Sequence, residues 1–121
     1  MRLNHLDLQV SDVDAAREFF ERFFGLRCRY QRQTQIAIFE SDDGFEFALS
    51  NLFNSPAPSY PPDFHVGFAL QHTSEVREIY ERLEAAGVAM KLALGVQGPA
   101  FVFQCLGPDG IPVEVRAPKG S

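Results

Sequence analysis

The 121-residue chain has a formal net charge of −5, 45% hydrophobic and 22% charged residues, a composition that suits one globular domain with a genuine core. The acidic balance argues against nucleic acid or an anionic membrane surface as a partner, and leaves small-molecule ligands open. No apolar run reaches the length of a membrane span, no signal-peptide pattern opens the chain, and Cys28 and Cys105 lack Cys-x-x-Cys spacing, so a cytoplasmic protein with buried, reduced thiols is expected.

Arg2 to Val10 alternates as a strand, with Leu6, Leu8 and Val10 on one face and His5, Asp7 and Gln9 on the other. Ser11 reads as the N-cap of a helix with Asp14 in its first turn. Ala16, Phe19, Phe20 and Phe23 form its apolar stripe, and Gly25 its C-terminal stop. Three short strands are predicted next, over 26–33, 35–40 and 45–50, with Asp42-Asp43-Gly44 as the last turn. Asn51 to Asp63 contains Pro56, Pro58, Pro61 and Pro62 without periodicity, and reads as a linker between modules.

The pattern then restarts. Phe64, Val66, Phe68 and Leu70 alternate with His65, Gly67, Ala69 and Gln71. Thr73 or Ser74 is expected to cap a helix with the stripe Val76, Ile79, Tyr80 and Leu83, ending near Gly87. Strands follow over 89–93, 100–106 and 111–117, with Gly95 to Pro99 as a loop and Asp109-Gly110 as the final turn. His65 falls on His5, and Val76, Ile79, Tyr80 and Leu83 fall on Ala16, Phe19, Phe20 and Phe23, all at one offset of 60 positions. After an insertion of six, Asp109-Gly110 and Glu114 fall on Asp43-Gly44 and Ala48 at an offset of 66. The expected fold is α+β: two βαβββ modules, about 1–50 and 64–118, forming a cupped mixed sheet with helices on its convex face.

The helix stripes need apolar sheet rows to pack against, and Leu6/Leu8/Val10, Phe45/Phe47/Leu49, Phe64/Val66/Phe68 and Ile111/Val113/Val115 supply them. The opposite rows, His5/Asp7/Gln9, Glu46/Ala48/Ser50, His65/Gly67/Ala69 and Pro112/Glu114/Arg116, are polar or small and suit a ligand-facing surface. Two histidines and one carboxylate on that surface form a candidate 2-His-1-carboxylate site for a divalent metal such as Fe, Mn, Ni or Zn. A lone strand histidine is more often a satisfied polar residue than a ligand. The equivalence of His5 and His65 under the repeat sets the metal reading beside that one, and both stand at this point. His72, before a helix start, reads as surface.

The segments Asn4-His5-Leu6, Val10-Ser11-Asp12, Phe19-Phe20, Phe24-Gly25-Leu26, Phe64-His65-Val66 and Gly107-Pro108-Asp109-Gly110 with Val113-Glu114 resemble the vicinal oxygen chelate superfamily. That group includes glyoxalase I, extradiol dioxygenases, fosfomycin-resistance transferases and bleomycin-resistance proteins. The resemblance spans nearly the whole chain and implies paired βαβββ modules, a homodimer that can exchange modules, and metal ligands at His5, His65 and Glu114. Departures narrow the activity. A fourth ligand of glyoxalase I-like members falls at Ala48, whose methyl group neither binds metal nor moves a proton. The tyrosine of the ring-cleaving dioxygenases falls near Gln104, and only His72 remains to match their additional histidine. Cationic residues for a phosphonate are not evident over 91–99, and Arg27, Arg29 and Arg32 read as a solvated strand face.

The resemblance implies a metal-dependent lyase, isomerase or dioxygenase acting on a small molecule chelated through its oxygens. Glu114 is a candidate base, and Asp7, Gln9, Ala48, Ser50 and Arg116 are candidate substrate-binding positions. The alternative is a metal-free binding protein that sequesters a drug or metabolite, for which the 12 phenylalanines would supply an aromatic interior.

Overall fold

The computed structural model describes residues 1–121 and realises the βαβββ unit twice, in two compact units, Met1–Ser59 and Tyr60–Ser121. The first contains β1 (His5–Gln9), α1 (Val13–Phe24), β2 (Cys28–Arg32), β3 (Ile36–Glu40) and β4 (Glu46–Ser50). Its four strands lie in the order β1-β4-β3-β2, with β1 parallel to β4 and the other pairs antiparallel. The second contains β5 (Val66–Ala69), α2 (Thr73–Ala85), β6 (Met90–Gln97), β7 (Ala100–Leu106) and β8 (Pro112–Pro118). Its order is β5-β8-β7-β6, again with the first strand parallel to the last.

The apolar stripe of α1 becomes the core of the first unit. Val13, Ala16, Phe20 and Phe23 are buried, and the Phe20 ring meets Phe47 of β4 edge-on at 5.1 Å. The helix starts one residue later than expected. Asp12, not Ser11, is the N-cap, and its carboxylate accepts from the Ala15 amide at 3.0 Å. Gly25 closes the helix in the left-handed region, φ 68°, where a side chain would be strained. In the second unit Val76 and Leu83 are buried, and Tyr80 packs edge-on against Phe103 of β7 at 5.2 Å. Here the N-cap is His72 rather than Thr73 or Ser74, and the Glu75 carboxylate turns back to accept from its amide at 3.0 Å.

The stretch from Gly95 to Pro99 is mostly strand, not loop. Gly95, Val96 and Gln97 continue β6 and pair with Val102, Phe101 and Ala100, so only residues 98 and 99 turn. Gly95 mimics a turn signal because β6 shifts register twice between Met90 and Gly95, and a side-chain-free residue suits such an irregular strand. The positive φ of the hairpin belongs to Gly98. The proline-rich stretch does not float as a whole. Asn51 is buried, its side chain donating to the Ser11 and Ser55 carbonyls at 3.2 and 3.0 Å and accepting from the Ser55 amide at 2.7 Å. Its first residues are thereby tied to the first unit. No helix is long and apolar enough to cross a membrane.

Both cysteines are free. Burial pushes the Cys105 thiol up to about 11, so it stays protonated at neutral pH and serves as core rather than as a nucleophile.

Phe20 is completely buried whereas Phe53 is 88% exposed. Phe20→Ala is therefore expected to lower the unfolding free energy by about 3–5 kcal/mol in urea titration. The same change at Phe53 should stay within about 0.5 kcal/mol. Equal costs at the two sites would contradict this core.

Candidate functional site

His65 immediately precedes β5, one residue outside the strand that the alternation suggests, and the end of the proline-rich stretch fixes it there. The Phe64 amide donates to the Pro61 carbonyl at 3.0 Å, Tyr60 stacks on Phe64 at 4.5 Å, and Lys91 Nζ donates to the Pro62 carbonyl at 2.6 Å. The His65 ring then contacts the Asp63 carbonyl through Nδ1 at 3.0 Å. That contact makes Nδ1 the protonated nitrogen and turns the Nε2 lone pair outward. Nε2 lies 3.9 Å from Glu114 Oε1.

His5 is arranged alike. Its Nδ1 is 2.7 Å from Asn4 Oδ1, which again leaves Nε2 as the open nitrogen. A hydrogen-bonded Nδ1 with a bare Nε2 is the usual condition of a metal-ligating histidine.

Glu114 lies in the middle of β8, opposite Gly67 of β5 and Gln104 of β7. Its side chain is only 17% exposed, and two further side chains attend it. Gln104 Nε2 donates to Oε1 at 3.1 Å, and Arg116 Nε stands 3.9 Å from Oε2. Gly67 lies beside it, where a Cβ would make only ordinary contact, 3.5 Å from Glu114 Cβ and 3.8 Å from Oε2. Gln104 is a functional neighbour that alternation alone did not assign. Its signal is that it interrupts the otherwise apolar run Ala100-Phe101-Val102-Phe103 with a polar group directly across from Glu114.

The residues present fit a divalent metal in their chemistry. Metal–nitrogen and metal–oxygen bonds of ~2.0–2.2 Å put adjacent ligands roughly 3–3.5 Å apart. The 3.9 Å between His65 Nε2 and Glu114 Oε1 is close to that spacing. The candidate trio is divided between the units, with His5 in the first and His65 and Glu114 in the second. Within neither unit do three or more His, Cys, Asp or Glu side chains converge by themselves.

The remaining candidates separate by exposure. In the first unit Asp7 pairs with Ala48 and Gln9 with Ser50 across the parallel β1–β4 ladder. Asp7 is exposed, but Ala48 and Ser50 are each 8% exposed. Burial does not alternate along β4, because small residues on a central strand are shaded by their neighbours on β1 and β3. The Ser50 hydroxyl donates to Asp7 Oδ1 at 2.6 Å, so Ser50 positions Asp7. Arg116 borders a hollow of about 390 Å³ in the second unit, beside Ala69, Pro99 and Pro118. His72 is exposed and serves the start of α2, which agrees with its reading as surface.

The family model of the Glyoxalase/Bleomycin resistance protein/Dioxygenase superfamily matches residues 2–115. An uncharacterized protein of Pseudomonas aeruginosa is 34% identical over 92 residues, which span 70% of this chain and 65% of that protein. A structure described as a possible glyoxalase from Bacillus cereus superimposes with a TM-score of 0.82 at 36% identity, covering 95% of this chain and 97% of the other. A lactoylglutathione lyase from Agrobacterium tumefaciens superimposes with a TM-score of 0.78 at 22% identity, covering 96% and 92%, and so attests the fold alone.

The Ser50–Asp7 bond lends itself to a double-mutant cycle. Ser50→Ala and Asp7→Asn, alone and together, should reveal a coupling of about 1 kcal/mol in urea unfolding. Additive effects would show that the bond is not made in solution.

Proposed function

The chain belongs to the Glyoxalase/Bleomycin resistance protein/Dioxygenase superfamily, and from that premise we propose that it is a divalent-metal-dependent enzyme acting on a small molecule with paired oxygens. The observation that carries this reading is the His65–Glu114 pair, with the imidazole Nε2 bare and facing the carboxylate at 3.9 Å. His5, His65 and Glu114 are the proposed ligands. When bound, the metal supplies a Lewis acid for the oxygens of the substrate.

The chain's own groups supply the rest. The Asp63 carbonyl and the Asn4 amide oxygen hold the two imidazoles in the ligating tautomer. Gln104 anchors Oε1 of Glu114 and leaves Oε2, 3.9 Å from Arg116 Nε, as the proposed base for a substrate C–H or O–H proton. Arg116, between Glu114 and the hollow beside Ala69 and Pro99, offers a guanidinium to an anionic or carbonyl oxygen of the substrate. Gln9 shares the polar face of β1 and is a further orienting group.

Within the superfamily, a lyase or isomerase type of reaction is favoured over a dioxygenase. The similarity to the possible glyoxalase of Bacillus cereus supports this. So do the amide of Gln104, bonded to Glu114 where the ring-cleaving enzymes have a phenol, and the placement of His72 at a helix start.

Protein purified without chelator or affinity metal should contain about one Fe, Mn, Ni or Zn per chain by plasma mass spectrometry, and His65→Ala should lose it. Wild type and variant that remain equally empty after incubation with all four metals would overturn the metal reading and favour sequestration of a small molecule without metal.

A further inference from the structure

The polar row of β8 continues past Glu114 to Arg116 and Pro118. Arg116 pairs with Ala69 of β5 and Val102 of β7, and Pro118 with Ala100, so no acid stands across either ladder from the guanidinium. Around it lies the hollow of about 390 Å³ in the second unit, walled by Ala69, Pro99, Ala100, Ala117 and Pro118. The backbone beside the hollow is engaged in the fold. The Leu70 amide donates to the Arg116 carbonyl at 2.8 Å, and the Lys119 amide to the Pro99 carbonyl at 3.0 Å. Pro99 and Pro118 have no N–H to offer. One guanidinium on an apolar wall is a lining that suits a small ligand with a single polar end.

Arg116 is 61% exposed, and its Nε stands 3.9 Å from Glu114 Oε2, beyond hydrogen-bond distance. The Nη edge therefore keeps its donors for a planar anion. Resting on the function proposed above, we infer that the substrate is a small aliphatic carboxylate. Its head group takes the Arg116 guanidinium, its hydrocarbon chain occupies the hollow, and its reacting oxygens lie beside Glu114. A carboxylate fits better than a phosphate, because the hollow supplies one cation and no cradle of backbone N–H groups. Two residues along a strand span ~6.6 Å, so a short molecule reaches from Glu114 to Arg116.

The test titrates hexanoate into the full chain freed of metal by chelator, following the methyl resonances of Ala69, Ala100 and Ala117 by NMR. Saturable shifts are expected at these methyls, and hexanol or hexylammonium at equal concentration should give none. From butanoate to hexanoate the affinity should rise about fourfold per methylene. Arg116→Gln should weaken hexanoate binding about 10–100-fold, and Arg116→Lys by less. Ala69→Leu, at an exposed position, should fill the hollow and remove the gain per methylene. Manganese(II) added to the wild type should relax the protons next to the hexanoate carboxylate more than those of its terminal methyl. Hexanoate that leaves the alanine methyls unmoved, or that binds Arg116→Gln as tightly as wild type, would overturn this inference and leave the metal reading intact. Hexanoate binding to a protein that takes up no manganese would overturn the metal reading and keep the hollow as a carboxylate site.

Discussion

The parallel pairing of the first and last strand in each βαβββ unit is the constraint on which the rest depends. It joins residues more than forty positions apart into fixed neighbours: Asp7 with Ala48 in one unit, Gly67 with Glu114 in the other. The intervening helix makes this pairing reachable, because a parallel connection must cross over the sheet and bury an apolar stripe on the way. Phe20 against Phe47 and Tyr80 against Phe103 are those burials, and they hold the face opposite to the polar rows. The apolar packing and the polar site are consequences of the same alternation.

A carboxylate in the middle of a sheet needs support, and Glu114 has it from two side chains. Gln104 donates to one oxygen, and Arg116 stands near the other. The arrangement holds the carboxylate at a fixed position without one tight ionic partner, since His65 Nε2 and Arg116 Nε each stand 3.9 Å away. Cys105, by contrast, is a thiol that burial keeps protonated, and it contributes only to packing.

Much of this was legible in the sequence, and the limits have physical causes. The paired units, both helices and the sharing of one face by His65 and Glu114 follow from period-2 and period-3.6 patterns, which side-chain direction enforces. The N-caps lie a residue or two from the sequence expectation because several adjacent residues can cap, and only local geometry chooses Asp12 over Ser11 and His72 over Thr73 or Ser74. The extent of β6 was hidden by Gly95, which resembles a turn residue but pairs with Val102. Gln104 and Ser50 as supports of the two acids depend on cross-strand register, and no pattern along a single strand reveals it. Whether a residue of the polar row is open or buried also depended on neighbours, as the burial of Ala48 and Ser50 shows.

The central claim is that the two histidines of the repeat ligate one divalent ion. X-ray absorption fine structure of the zinc-loaded protein tests it most directly, because imidazole rings give outer-shell scattering that carboxylates do not. The account predicts scattering from two imidazoles per zinc, with the remaining first-shell atoms nitrogen or oxygen at about 2.0–2.2 Å. Zinc bound with one imidazole or none, or with sulfur in its first shell, would contradict it.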